Sequence, residues 1–233
     1  MSATQYVLHI ANKNYSSWSL RPWALMTQLG IPFAEVLHPF GDGSNFAEFR
    51  KFAPNGKVPC LQNGDQTIWD SLAIAEYLAD NHNGVWPDDA RARAWARCAC
   101  AEMHSGFGHL RNQCPMSCGV RVELNRPYNQ DLLADIARLT ELWEGGLAQF
   151  GGPFLAGKTF TAVDAFFAPV AWRINSYGLP VSPAVLGYAQ MLMAQTSMQA
   201  WYQAALVEKL IDQPHDDAAL AHGKLIADLR VKI

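Results

Sequence analysis

The stretch from Pro54 to Leu78 constrains the fold more than any other part of the chain. Two short apolar runs, Val58-Pro59-Cys60-Leu61 and Thr67-Ile68-Trp69, flank Asn63-Gly64-Asp65, whose residues tolerate positive φ, and this pattern predicts a β-hairpin. Pro59 stands where the first strand begins and has no N–H to give to a ladder, so the backbone of Val58 is left to face something other than protein. Immediately after the second strand, Asp70-Ser71 opens a run in which Leu72, Ile74, Ala75 and Leu78 fit a mostly buried helix. A carboxylate, a hydroxyl and unpaired backbone N–H groups therefore meet at one corner. Such a corner suits the amine and carboxylate of a small peptide.

Upstream, Tyr6-Val7-Leu8-His9-Ile10 reads as a buried strand. A polar loop, Ala11 to Ser17, leads into a helix through Arg21, Trp23, Ala24, Leu25 and Leu29 that stops at Gly30, with Pro32 beyond. Pro22 has no N–H and is tolerated only in the first turn. It predicts Ser19 as the cap, with Ser16 and Ser17 still in the loop or in an irregular first turn. Phe33 to Pro39 is a second strand, parallel to the first by the crossover rule, and Ser44 to Phe52 a short amphipathic helix. Residues 1–80 thus form a βαβ-ββα, thioredoxin-like α/β domain, and the polar, Gly- and Pro-bearing segment 81–90 is a linker.

From 91 to 233 helical periodicity takes over, and the expectation is an all-α bundle. Leu132, Leu133, Ile136, Leu139, Trp143 and Leu147 mark one amphipathic helix, ended by Gly151-Gly152-Pro153. Thr161-Ala162-Val163-Asp164 is a capping-box variant ahead of Ala165 to Trp172, a run apolar on nearly every side that belongs at the centre of the bundle. Further helices are expected around Val185–Ala194 and Met198–Leu210, and no pattern from Asp212 onward.

Half of the 233 residues are hydrophobic, and the net charge of -3 carries no basic footprint for nucleic acid or anionic membrane. Met1–Gln5 does not read as the start of a leader, and no run is long and apolar enough to span a bilayer, so a cytoplasmic location is expected. Five cysteines without a Cys-x-x-Cys imply neither a disulfide framework nor a redox pair. Cys60 reads as a small buried strand residue. Cys114 and Cys118 with His104 and His109 match no common zinc spacing, so no metal is expected.

Gly56-Lys57-Val58-Pro59, a strand pair, then an acidic residue and Ser opening a helix resemble the glutathione-binding half of the cytosolic glutathione transferases. Thr161-x-x-Asp164 resembles the box on the central helix of their second domain. Asn14-Tyr15-Ser16-Ser17-Trp18-Ser19-Leu20-Arg21 resembles the Ser-rich motif of their zeta (maleylacetoacetate isomerase-like) class, with the leading serine falling on Asn14 or Tyr15. The resemblance implies a cis proline at 59, a homodimer, and glutathione as co-substrate. It assigns the cysteinyl unit to the Val58 backbone, the γ-glutamyl end to Asp70 and Ser71, and a carboxylate to Lys57. The implied reaction is attack by the bound thiolate on a small electrophile, by conjugation or by reversible addition that isomerises a double bond. A thiol ionising near 8.5 needs about one to two units of help, from a helix N-terminus and a hydroxyl. Ser16, Ser17 and Tyr15 are the candidates for that hydroxyl, in this order. The wall for the second substrate is expected from the first long helix of the second domain, through Met103, His104, Phe107 and Arg111. A rival expectation is a non-catalytic glutathione-transferase-like regulatory or interaction protein. Lys57, Val58, Asp70 and Ser71 favour the enzyme, and the Asn14-Tyr15 departure favours the rival.

Overall fold

The computed structural model describes residues 6–41 and 43–231, so that Met1–Gln5, considered above for a leader, lie outside it. Strands β1 (Tyr6–Ile10), β2 (Phe33–Leu37), β3 (Cys60–Asn63) and β4 (Gln66–Trp69) form one sheet in the order β2-β1-β3-β4. β1 runs parallel to β2 and antiparallel to β3. The expected hairpin joins Cys60 to Trp69 and Asn63 to Gln66, and its first turn residue, Gly64, takes φ of +61°. Helices α1 (Ser17–Gln28), α2 (Phe46–Phe49) and α3 (Ser71–Asn81) complete this thioredoxin-like unit.

α1 corrects the capping argument. Its cap is Ser16 rather than Ser19, and the helix runs regularly from Ser17 with Pro22 in its interior. An interior proline costs about 3 kcal/mol in an isolated helix. Here Ser19 to Met26 are all buried, because α1 is sandwiched between the sheet and the helical half of the chain, and that burial outweighs the lost backbone bond.

The helical half contains α4 (Ala90–Ser105), α5 (Gly108–Gln113), α6 (Gln130–Phe150), α7 (Ala162–Tyr177), α8 (Pro183–Met193), α9 (Thr196–Leu206) and α10 (Gln213–Leu220). It also contains something the sequence reading did not anticipate. β5 (Val120–Leu124) pairs antiparallel with β6 (Gly223–Asp228), so the patternless tail is an ordered helix and strand. α7 is the central helix, buried along almost its whole length and packed on α1, α4 and α8. Among the described residues no helix is long and apolar enough to cross a membrane.

Asp164, on the first turn of α7, is fully buried. Its carboxylate accepts from the backbone N–H of Thr161 at 2.9 Å and Leu155 at 3.1 Å, and from the Tyr188 hydroxyl at 2.7 Å. Burial pushes its pKa up to about 6 against the opposing effect of these donors. Asp164→Ala leaves these buried donors without an acceptor and should cost about 3–5 kcal/mol in urea unfolding. A carboxyl raised from its ordinary value favours the folded state most below about pH 4. The deficit of the variant relative to the parent should therefore shrink as pH rises from about 4 through 6.

Candidate functional site

The loop between β1 and α1 is fastened on every side before it reaches the cleft. Asn14, 2 % exposed, donates through its side chain to the carbonyl of Ala205 at 2.6 Å and accepts from the Gly119 N–H at 3.1 Å. Glu208 accepts from the backbone N–H of Lys13 and Asn14, and Asn12 binds the Leu210 carbonyl. An asparagine at position 14 therefore serves the loop as a two-way fastener. Tyr15 is also committed: its hydroxyl donates to Asp216 at 3.0 Å and accepts from Arg230 at 2.9 Å, and burial holds its pKa well above the ordinary value.

The two serines differ. The buried Ser16 hydroxyl donates to Ser19 at 2.7 Å, and Ser19 also accepts from the Ala11 N–H. Ser17 is half-buried at the open first turn of α1, and its hydroxyl makes no hydrogen bond among the described residues.

Val58-Pro59 is cis, as the resemblance implies, and neither backbone group of Val58 bonds to another described residue. Facing it, Asp70 takes φ of +76° and caps α3 through the Leu72 N–H at 2.8 Å, while its second oxygen lies 3.4 Å from His104 Nε2. Burial, with Arg21 and Arg111 nearby, holds the His104 pKa below its ordinary value despite Asp70. Ser71 is buried and accepts from the Arg21 guanidinium at 3.4 Å. Trp18, Asn55, Lys57, Val58, Pro59, Asp70, Ser71 and His104 enclose a cavity of about 290 Å³. A larger one, about 730 Å³, shares Trp18, Lys57 and Val58 with it and continues past Ser16, Ser17 and Tyr15. Phe40, Phe46, Phe49, Pro115 and Met116 give the larger cavity an apolar wall, and Arg111, Arg173 and His215 give it a polar one.

The expected wall on one long helix is not present. That helix ends at Ser105, and Phe107 sits at φ of +57° before α5 begins. Met103 and Phe107 are buried in the core, His104 faces the smaller cavity, and of the four only Arg111 lines the larger one. The Arg111 guanidinium donates to the carbonyls of Met103 and His104, and it lies over the Trp18 ring at 4.9 Å, as Arg21 does at 4.2 Å. Arg173, buried on α7, donates through Nε to the Cys114 carbonyl at 2.8 Å. Desolvation, with the neighbouring arginines, lowers Arg21 to about 9 and Arg173 to about 10. No carboxylate hydrogen-bonds these three guanidiniums among the described residues, and Asp70 and Asp135 offset the charge of Arg21 and Arg111 only from a distance.

Trp18, Arg21, Phe40, Met116, Arg173 and His215 were not among the residues expected at the site. Trp18 and Arg21 fall inside the quoted Ser-rich motif. His215 lies in the tail, where no sequence signal pointed to it. All five cysteines are free, and burial raises Cys60 to about 11 and Cys114 and Cys118 to about 12. Among the described residues no cluster of His, Cys, Asp and Glu could hold a metal ion.

Two family descriptions match the chain: "Glutathione S-transferase, N-terminal domain" over residues 15–81 and "Glutathione S-transferase, C-terminal domain" over 121–204. The glutathione S-transferase-like protein OpS6 of Beauveria bassiana is 28% identical over 169 residues, covering 64% of this chain and 72% of that one. A probable maleylacetoacetate isomerase of Caenorhabditis elegans is 30% identical over 139 residues, covering 59% and 64%. The crystal structure of a glutathione transferase homologue from Burkholderia, with bound glutathione, superposes with a TM-score of 0.65 at 22% identity over 86% of this chain and 97% of that one.

The tail is what closes the loop at Tyr15, through Arg230 held by Asp216 and Asp228. Arg230→Ala removes charged hydrogen bonds worth about 1.5–3 kcal/mol each. Amides of α10 should then exchange with deuterium at least tenfold faster, while those of β1 and β3 keep their protection.

Proposed function

The chain belongs to the glutathione transferase family, and from that premise we propose that it binds glutathione and directs the thiolate at a small electrophile. On this reading residues 1–80 are the glutathione-binding domain, 81–90 the linker and 91–233 the helical domain of a cytoplasmic homodimer.

The observation that carries the reading is the junction of the two cavities at Trp18, Lys57 and Val58. An extended tripeptide fits such a junction. Its γ-glutamyl end lies in the smaller cavity against Asp70 and Ser71, and its cysteinyl amide pairs with the unpartnered Val58 backbone. Its terminal carboxylate reaches the exposed Lys57 ammonium. The thiol then stands where the smaller cavity opens into the larger, beside the first turn of α1. There the free N–H groups of the turn and the Ser17 hydroxyl favour the anion. Lowering the thiol by one to two units is worth about 1.4–2.7 kcal/mol. Ser16, whose proton goes to Ser19, stands behind Ser17, and Tyr15 is engaged elsewhere.

The apolar wall of Phe40, Phe46, Phe49 and Met116 suits a carbon skeleton. The Arg111 and Arg173 guanidiniums suit an electrophile that carries or develops negative charge, as an unsaturated keto acid does when a thiolate adds to it. That supports thiolate addition, and reversible addition would serve an isomerisation such as the one in the name of the nematode relative, a probable maleylacetoacetate isomerase. The competing role, a regulatory protein without the reaction, requires none of this charge.

Calorimetric titration with glutathione should show saturable binding below millimolar concentration, and its absence would sink the enzyme reading. Asp70→Asn, which keeps a capping acceptor for α3, and Ser71→Ala should each weaken that binding about tenfold to a hundredfold.

A second measurement concerns the thiol. Ser17→Ala should raise the pKa of bound glutathione by about one unit and lower kcat, with a smaller effect from Ser16→Ala. The reverse order would move the donor to Ser16.

A further inference from the structure

The residues after 204 lie outside both matched family segments, yet they send one side chain into the larger cavity. His215, in the first turn of α10, is clamped between two aromatic rings, Tyr15 at 5.1 Å and Phe40 at 4.6 Å, both close to parallel with it. Its Nδ1 donates to Asp212 Oδ2 at 2.5 Å. Asp212 is itself buried and is the cap of α10, accepting from the His215 N–H at 3.1 Å. With both faces covered and Nδ1 taken, the ring has one edge left, the one that carries Nε2. That nitrogen has no hydrogen-bond partner among the described residues, and the ring forms part of the wall of the larger cavity, which Ser16 and Ser17 also line.

A carboxylate at Nδ1 fixes the tautomer and orientation of an imidazole and compensates the charge the ring takes when Nε2 is protonated. A solvated surface histidine needs neither a two-ring clamp nor a buried partner. We propose that His215 is a catalytic residue of this cleft, the proton donor to the electrophile during thiol addition, and that Asp212 positions it. The proposal rests on the glutathione reading above.

The chemistry balances without a further reagent. The thiolate sulfur bonds to the β-carbon of an α,β-unsaturated carbonyl, and the π pair moves toward the carbonyl oxygen. Nε2–H delivers its proton to the resulting enolate, and the neutral ring regains from solvent the proton that the glutathione thiol released on ionising. Displacement of chloride from an aromatic ring needs no such proton, because the halide leaves with its bonding pair.

The two reactions therefore separate the roles. Glutathione addition to an aryl enone and glutathione displacement on a chlorodinitrobenzene would be measured side by side for the parent, His215→Gln and Asp212→Asn. Asparagine keeps the α10 cap while removing the charge behind the imidazole. General acid catalysis contributes roughly a hundredfold or more. The ratio of addition to displacement should accordingly fall at least tenfold in His215→Gln, and severalfold in Asp212→Asn.

An unchanged ratio in a folded His215→Gln protein overturns the proposal, as does a parallel fall of both rates. Should His215→Gln not fold by circular dichroism, an unchanged ratio in Asp212→Asn overturns it instead. Calorimetry on the parent keeps the two readings apart. Glutathione binding without any effect on the ratio removes His215 alone, and absence of binding removes both.

Discussion

A buried, hydrogen-bonded carboxylate holds the centre of this protein. Asp164 ties the start of α7 to the segment before it and to α8, and α7 in turn carries the groups that shape the cleft. Arg173, Ser176 and Tyr177 bind the carbonyls of Cys114, Ser117 and Pro115, so the loop that presents Pro115 and Met116 is pinned to the same helix. Phe166, two residues beyond Asp164, lies under the Arg21 guanidinium. A displaced α7 would move the apolar wall, the arginines and the floor beneath Trp18 together. Such interiors are close-packed and answer a shift as a unit.

The hairpin, the Asp70 cap and the Thr161–Asp164 box were legible because each rests on a few neighbouring residues with strong local preferences. The same kind of reasoning misplaced the start of α1. Pro22 disfavours a helix interior, but the local cost is set against eight consecutive buried positions, and no window around Pro22 contains that information. The β5–β6 pair was missed for another reason. Val120-Arg121-Val122-Glu123-Leu124 alternates cleanly and could have been read as a strand. Its partner lies about a hundred residues later in Gly223–Asp228, a run without such alternation.

At the site, the residues that resemble a family motif gather round one junction, and the charged groups on the far side of the larger cavity come from elsewhere. Asn14 and Tyr15, which looked like a departure from the Ser-rich motif, are fasteners for the tail. The hydroxyl without a hydrogen-bond partner among the described residues of this loop is that of Ser17. Arg111, Arg173 and His215 come from α5, α7 and α10, three elements with no sequence neighbourhood in common. No spacing rule connects them, and only the packing of α7 and the return of the tail bring them to one cavity.

That return has a consequence for how the protein is made. Tyr15 and Arg230 are 215 positions apart and Asn12 and Leu210 are 198 apart, although both pairs touch. On the ribosome the strands and α1 can pair early, since their contacts are local or nearly so. The loop that leads into the cleft cannot be completed until the segment that carries Ala205, Leu210 and Arg230 has emerged. Contacts of such long sequence separation form late and slowly. The nascent chain thus carries a folded but unfinished first unit until residues 205–230 have emerged, and the cleft comes into being only then.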